Sequence, residues 1–450
     1  MKIALSHYRV GETDGVSLEM DKWALILEQL GHEVVYIAGS QGSSERTTYL
    51  IDEMALLFPE DEALRMELYL HQDKAEQELK LRSNKLKQLV AARLEKILID
   101  EKIDVLVPNN ICCLGRSIPI GDAFAQVIKK TGIKVVNHHH DFYWEREFFS
   151  GSKYPFAKKS LQLNFPPLDK NIKHCVINTL AKADLKTKKG VESIYIPNVF
   201  DFQQKTWSRD QYNQDFRSKL GISDNDLFFL QGTRLVARKG IELAVDVIKC
   251  LGEHKKQLIG KTLYNGKPFT ENSRIVYAMV GLHEDHGSYI QLLEDKCKQS
   301  GIEFIIDPSL VDHERTIRNG KKIYSLWDAY VDCDFVMYPS IYEGWGNQLL
   351  EAMFARKPTL IFEYSVYEKD IKPVNCDFVS LGNHYQTLDN GLVAVSPEVI
   401  ENATQQIVHI LTDKERYQAI TDKNFELGKQ HFSYQTLQEK LQSVFTESPS

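Results

Sequence analysis

The feature that most constrains this chain is a rhythm that runs twice. Short β-branched runs alternate with longer amphipathic stretches, the signature of parallel sheets joined by right-handed helical crossovers. In the first half the strand-like runs are KIALSHY (2–8), EVVYIAG (33–39), DVLVP (104–108), KVVNHH (134–139), HCVIN (174–178) and SIYIPN (193–198). Between the first two lies VSLEMDKWALILEQL (16–30), whose Leu and Trp spacing suits a helix with one buried face. The rhythm pauses at IPNVFDF (196–202), where Pro197 and Asn198 favour a turn. It restarts with DLFFLQG (226–232), RIVYAMVG (274–281), EFIID (303–307), DFVMYP (334–339) and PTLIFE (358–363). Residues 41–100 show no clear strand and are rich in charge and leucine, which predicts a helical insertion. From about residue 397 the pattern is helical only. The expectation is α/β: two doubly wound, Rossmann-like domains over 1–200 and 201–430, then a helix at 431–450. A chain of 450 residues, 43% hydrophobic and 26% charged, is long and apolar enough to fill two cores.

A net charge of -7 argues against a nucleic-acid binder that neutralises phosphates over its whole surface. No basic segment with an apolar core precedes the first strand, so no signal peptide is expected. No apolar run approaches the ~20 residues that span a bilayer. Seven cysteines, with Cys112 and Cys113 adjacent and no CxxC spacing, suit reduced thiols better than disulfides or zinc, so the expected address is the cytoplasm. Charge is uneven, however. Residues 153–189 carry nine lysines against two aspartates, with no glutamate or arginine. Three readings of that positive field stand open: a solvated face, a site for an anionic acceptor, or peripheral contact with the acidic inner face of a membrane.

In doubly wound sheets ligands lie beyond the carboxyl ends of the strands, so the loops there should hold the chemistry. The first is HYRVGETDGVSLE (7–19). Gly11 and Gly15 permit close backbone approach, and the N–H groups at Val16 and Ser17 would favour an anion, although a plain tight turn reads equally well. The loop is not GxGxxG, which weighs against a nicotinamide dinucleotide. In QGTRLVARKGIELAV (231–245), Arg234 and Lys239 stand five residues apart, with Arg238 adjacent and Gly240 opening a helix. Cations beside a helix N-terminus are unfavourable without a compensating anion, and a diphosphate would supply one.

HHHDFYWERE (138–147) admits a metal cluster, a strand-end histidine facing a polar ligand, or a buried structural group. Consecutive histidines on a strand alternate sides and HExxH spacing is absent, so metal is disfavoured. Asp332-Cys333-Asp334 has the D-x-D form that can hold a divalent cation, but it falls at the wrong end of its strand. PSIYEGWGNQLLE (339–351) places Glu343 in a glycine loop and Glu351 inside the following helix. Each carboxylate can accept paired hydrogen bonds from the vicinal hydroxyls of a sugar, and ordinary surface acids are the bland alternative.

Taken together, these residues resemble the retaining nucleotide-sugar glycosyltransferases of family 4, glycosyl transferases group 1, with the GT-B fold. The resemblance rests on Asp14-Gly15-Val16, His140, Ile196-Pro197-Asn198, the Arg234/Lys239 pair and PSIYEGWGNQLLEA, the last being the most specific. It implies two Rossmann-like domains facing each other across a cleft, acceptor side first, donor side second, with the last helices around 434–446 returning to the first domain. It further implies that Arg234 and Lys239 bind the donor diphosphate. Glu343 and the backbone of Gly344, Trp345 and Gly346, leading into Asn347, would hold the transferred sugar. Glu351 would bind the ribose. His140 would hydrogen-bond the sugar's 6-hydroxyl, with His139 a weaker candidate, and Gly15 would let the loop approach the leaving group. No metal and no cofactor are implied. The sequence departs from the common pattern in Asp-Gly rather than Gly-Gly, in Trp345, in Asn347, and in apparent insertions at 41–100 and about 252–273.

The activity so implied is transfer of a hexose from a UDP- or GDP-sugar to a hydroxyl acceptor with retention of configuration. No acid is evidently poised as a nucleophile on the opposite face, which favours front-side attack with a donor phosphate oxygen taking the acceptor's proton. A sugar phosphorylase of related fold and a non-catalytic nucleotide-sugar binding protein are the rival readings. Base, sugar and acceptor are not legible.

Overall fold

The computed structural model describes residues 1–12, 14–281, 288–312 and 314–446; residues 447–450 of the expected last helix lie outside them. The chain divides into two compact units, one made of Met1–Val199 together with the segment from Tyr434, the other of Phe200–Ser433.

The first unit is built on a sheet of seven strands: β1 (Lys2–Val10), β2 (Glu33–Gln41), β3 (Thr48–Leu50), β4 (Val105–Pro108), β5 (Lys134–His139), β6 (Ile172–Val176) and β7 (Ile194–Tyr195). Their order is β3-β2-β1-β4-β5-β6-β7 and every pairing is parallel. Helices cover both faces, which is why β4 is buried along its whole length and reads as a continuous apolar run. The expected strandless insertion needs correction. Thr48–Leu50 adds an edge strand to β2, and only then do the Pro59–Tyr69 and Glu76–Asp100 helices follow. Three residues are too few for periodicity to reveal.

One layer of this core is closed by the far end of the chain. The Tyr434–Thr446 helix buries Leu437, Leu441 and Val444 with Met20, Trp23 and Leu27 of the Gly15–Gln29 helix. Lys173 Nζ donates to the Val444 carbonyl at 2.7 Å, and Lys440 Nζ to the Tyr195 carbonyl at 3.1 Å. Such contacts satisfy carbonyls at strand and helix ends that would otherwise need water.

The second unit carries β8 (Leu227–Gln231), β9 (Ile275–Met279), β10 (Glu303–Ile306), then a small three-stranded excursion of β11 (Val311–Asp312), β12 (Thr316–Arg318) and β13 (Lys321–Ser325), and finally β14 (Phe335–Tyr338), β15 (Thr359–Ile361) and β16 (Val379–Ser380). Its main sheet is parallel, in the order β10-β9-β8-β14-β15-β16. A separate antiparallel pair, β17 (Gln386–Thr387) and β18 (Val393–Ala394), follows; neither it, nor the excursion, nor the two-residue β16 was expected from the sequence.

Both sheets reverse direction at one point, between β1 and β4 in the first and between β8 and β14 in the second. The strands flanking each reversal send their connections to opposite faces, so a crevice opens beyond their carboxyl ends. The candidate site residues follow these four strands or the neighbouring β5.

Candidate functional site

In the second unit β8 ends at Gln231, and the chain runs through Arg234 and a short turn at Ala237–Lys239 into the Ile241–Glu253 helix. The loop after β14 lies against that turn. Gly240 has φ +56°, and a Cβ there would stand 2.6 Å from the Pro339 carbonyl oxygen, so a side chain would force the two loops apart. Ile341 N–H donates to the Arg238 carbonyl at 3.0 Å.

This approach creates a buried cluster of charge. Glu343 accepts from Lys239 Nζ through Oε1 and from Arg238 Nη1 through Oε2, the latter at 2.9 Å. Lys239 and Glu343 are both about nine-tenths buried, and the Lys239 ammonium also sits 5.8 Å from the Tyr338 ring centroid. Burial pushes the Glu343 carboxyl up, but Lys239 and Arg238 outweigh it and hold the group at about 2. Burial lowers Lys239; Glu343 opposes the shift, while Arg238 and Arg234 add to it. Both partners of one ion pair are therefore lowered. Burial is the first cause of the Lys239 shift, with Arg238 and Arg234 adding to it, whereas Glu343 is lowered because two cations share its one carboxylate. Part of the anion that the cations require is thus Glu343 itself. The helix N-terminus beside these cations is partly occupied too, since Ile241 N–H donates to the Tyr289 hydroxyl at 3.1 Å.

After Glu343 the loop turns through Gly346 at φ +141°, where a Cβ would lie 2.3 Å from the Tyr364 hydroxyl, into the Asn347–Phe354 helix. Among the described residues no side chain caps that helix. The loop is fixed from within. Tyr364 Oη donates to the Trp345 carbonyl at 2.6 Å, and the buried Trp345 ring packs edge-to-face on Phe432. Trp345 is therefore a buttress whose indole faces the core. Four residues beyond Asn347, Glu351 accepts from the Tyr330 hydroxyl at 3.0 Å. Arg238 and Tyr330 were not among the expected site residues; the partners that reveal them lie 105 and 21 residues away.

Asp332 and Asp334 are consumed by structure. Asp332 pairs with Arg209 at 2.6 Å, and Asp334 accepts from Phe228 N–H at 2.8 Å and pairs with Arg217.

In the first unit a second group gathers at the carboxyl ends of β1, β4 and β5. His138 lies over Trp23, ring centroids 4.1 Å apart, and its Nδ1 meets Asn109 Oδ1 at 2.9 Å. His139 turns the other way and its Nε2 meets His174 Nδ1 at 2.9 Å, so it is spoken for. His140 is held by its backbone N–H to Asn110 Oδ1 at 3.1 Å, while its buried Nε2 has no hydrogen-bond partner among the described residues. Burial lowers His140 to about 4, against the pull of Asp141, so the ring is neutral at pH 7. A neutral imidazole with one unsatisfied nitrogen suits a ligand hydroxyl. His7, lowered by burial to about 4 and bound through Nδ1 to the Asn109 carbonyl at 2.8 Å, and Arg9, paired with Asp14 at 2.9 Å, join this group unforeseen.

One expectation here is overturned. The Val16 and Ser17 N–H groups are not open to an anion: both donate to Asp14 Oδ1, at 3.1 and 3.3 Å, as in any helix capped by aspartate. A Cβ placed on Gly15 would meet nothing within 4 Å, so no described protein atom demands glycine there. The nine lysines are partly spent as well. Lys189 donates to the Gln162 carbonyl at 2.5 Å, Lys173 to Val444, and Lys186 pairs with Glu192.

Comparison with known proteins bears on this arrangement. Residues 213–426 match the family model described as "Glycosyl transferases group 1". The mannosylglucosylglycerate synthase of Petrotoga mobilis is 40% identical over 433 residues, 96% of this chain and 98% of that protein. The protein of the same name from Thermotoga maritima is 36% identical over 447 residues, 98% of this chain and 99% of that one. The chain belongs to the group 1 glycosyltransferases. Among solved structures, Anabaena Alr3699/HepE in complex with UDP and glucose superimposes with a TM-score of 0.62 over 99% of both chains at 13% identity, a likeness of fold. The fold of this glycosyltransferase is therefore GT-B, two Rossmann-like domains, with the last helix belonging to the first. No described helix is long and apolar enough to cross a membrane.

Proposed function

We propose that this glycosyltransferase moves a hexose, mannose in the first instance, from a nucleoside-diphosphate sugar (UDP or GDP) to a hydroxyl of an anionic sugar–glycerate acceptor, with retention and without a catalytic metal. The observation that carries the proposal is the buried Lys239–Glu343 pair with Arg238 on its second oxygen. A carboxylate fixed by two cations keeps further lone pairs for sugar hydroxyls, and the surplus positive charge favours a diphosphate. The sugar and acceptor are taken from the two full-length relatives, whose name describes a mannosyl unit on glucosylglycerate.

In this reading Arg234 and Lys239 bind the diphosphate and offset the charge it gains as the C1–O bond stretches, each contributing a few kcal/mol to lowering the barrier. Glu343 and the backbone at Gly344 to Gly346, with Asn347 opening the helix, orient the hexose. Glu351, positioned by Tyr330, receives the ribose. His140 offers its unsatisfied Nε2 to the 6-hydroxyl, and Gly15 leaves room for the leaving group. A donor phosphate oxygen takes the acceptor's proton on the same face, giving retention. The acceptor's carboxylate is the anion for which the first domain's lysines would be suited, with membrane contact as the lesser use of the same field.

The test is a panel of UDP- and GDP-linked glucose and mannose against glucosylglycerate, glycerate and a neutral sugar, in chelator, with the anomer read by NMR. Retained-configuration product from a mannosyl donor and glucosylglycerate is expected. An inverted product, a requirement for added metal, or no preference for the anionic acceptor would each remove that element of the proposal.

A further inference from the structure

Apart from the residues assigned to transfer, one polar cluster in the second domain has no part in that chemistry. Cys250 lies near the end of the Ile241–Glu253 helix, and His254 is its C-terminal cap. Four residues apart, they share one face of the helix. Glu401, in the first turns of the Pro397–Thr412 helix, meets them both: its Oε2 is 3.3 Å from Cys250 Sγ and 2.9 Å from His254 Nε2. Among the described residues this is the one group of three or more Cys, His, Asp or Glu side chains whose donor atoms all lie within 4.8 Å of one another.

We propose that Cys250, His254 and Glu401 form a binding site for a thiophilic divalent cation, zinc above all, with solvent as the fourth ligand. The site is independent of the reading of the transfer reaction. Geometry favours it. Tetrahedral zinc, with bonds of about 2.3 Å to sulfur and 2.0–2.1 Å to nitrogen and oxygen, sets its ligand atoms roughly 3.3–3.6 Å apart. The distances from Glu401 Oε2 to Cys250 Sγ and His254 Nε2, 3.3 and 2.9 Å, are at or just below that range, with hydrogen atoms where the ion would sit. Binding releases the thiol proton to solvent and moves the imidazole N–H from Nε2 to Nδ1.

The surroundings are those of a metal site rather than of a chance ion pair. Gln405 Nε2 donates to Glu401 Oε1 at 2.8 Å, which fixes the carboxylate and leaves Oε2 for the cluster. The Gln257 amide lies 3.0 Å from His254 Nδ1, and by turning over it presents its oxygen to the N–H that metal binding places there. Thr404 is wholly buried, and its hydroxyl has no other partner among the described residues; it sits beside the Cys250 sulfur, where it would stabilise a thiolate. The half-open Glu401 side chain, 46% exposed, leaves a route for the ion and its water. With a rise of 1.5 Å per residue, Cys250 stands about 15 Å along the helix from the Lys239 end. The ion would therefore clamp two helices of the domain without touching the donor site, and its signature is stability rather than turnover.

The experiment uses the full-length, chelator-stripped protein and titrates it with cobalt(II) and zinc(II). One cobalt per chain is expected, with a thiolate-to-cobalt charge-transfer band that zinc abolishes. Zinc at a hundred times its Kd should raise the Tm by about 5 °C. Cys250→Ser and His254→Gln should keep the metal-free Tm, lose the band or the shift, and bind at least ~100-fold more weakly; Gln405→Ala should bind about 10-fold more weakly. Transfer activity of the stripped wild type should not change. Equal affinity in wild type and in the Cys250→Ser/His254→Gln double variant, or cobalt binding without a thiolate band, would place the ion elsewhere and overturn the proposal.

Discussion

Lys239 and Glu343, 104 residues apart in sequence, neutralise each other in the interior of the second domain at the point where its sheet reverses direction. Because the folded-state pKa of Glu343 is depressed to about 2, the carboxylate contributes stability that is complete above its unfolded value of about 4.5 and is lost as pH falls toward 2. Urea unfolding at pH 7, 4.5 and 3 should show wild type losing about 2 kcal/mol between pH 7 and 3 relative to Glu343→Gln. Parallel profiles for the two proteins would mean the pair is not formed.

Arg234 offers a cleaner test of the transfer chemistry, since its side chain is exposed and its loss opens no cavity. Arg234→Ala should lower kcat by more than ~10²-fold with an unchanged melting curve. A near wild-type rate would remove it from the leaving-group contact.

His140 refuses a proton that the unfolded chain accepts. Its folded pKa of about 4 lies below the unfolded 6.5, so stability is full above pH 6.5 and falls as pH drops toward 4. Burial lowers His7 and His174 to about 4 as well. The wild-type slope in this window should exceed that of His140→Gln by about one proton, roughly 1.4 kcal/mol per pH unit. Chemical denaturation across pH 4–6.5 measures it.

Glu351 and Tyr330 separate binding from chemistry. Glu351→Ala should weaken UDP or GDP by about 10-fold or more in calorimetry while leaving kcat at saturating donor within a few-fold, and Tyr330→Phe should do the same more mildly. A selective loss of kcat in either would move Glu351 to the reacting centre.

Ending the chain at Ser433 should cost the first domain its stability, because Trp23, Met20 and Leu27 lose the cover of Leu437, Leu441 and Val444. A loss of several kcal/mol is expected, the scale of removing two or three buried side chains. Hydrogen exchange should rise across Gly15–Gln29 and leave the Phe200–Ser433 unit protected.

How much of this was legible in the sequence follows from range. The long buried strands β1, β5, β8 and β14 and the Gly15–Gln29 helix announce themselves through local periodicity. So do the two loops bearing Lys239 and Glu343, because glycine and charge cluster there over few residues. What could not be read is whatever two distant segments make jointly. Arg238 looks like a neighbour of Lys239 until Glu343 is seen between them, and Asp14 looks like part of an anion loop until its carboxylate is found capping Val16 and Ser17. The edge strands Thr48–Leu50 and Val379–Ser380 are too short for any period to show. Cys250 and His254 display helical spacing, but Glu401 comes from 147 residues further on.

The assignment of the Tyr434–Thr446 helix to the first domain has a consequence for synthesis. A ribosome delivers the whole of Phe200–Ser433 before the residues that finish the earlier unit have left the tunnel. The usual order, in which the N-terminal domain completes itself first, is therefore unavailable here. For the time it takes to translate more than half the chain, the Trp23 face must wait bare, and a nascent protein stalled near its end would carry a finished second domain beside an unfinished first.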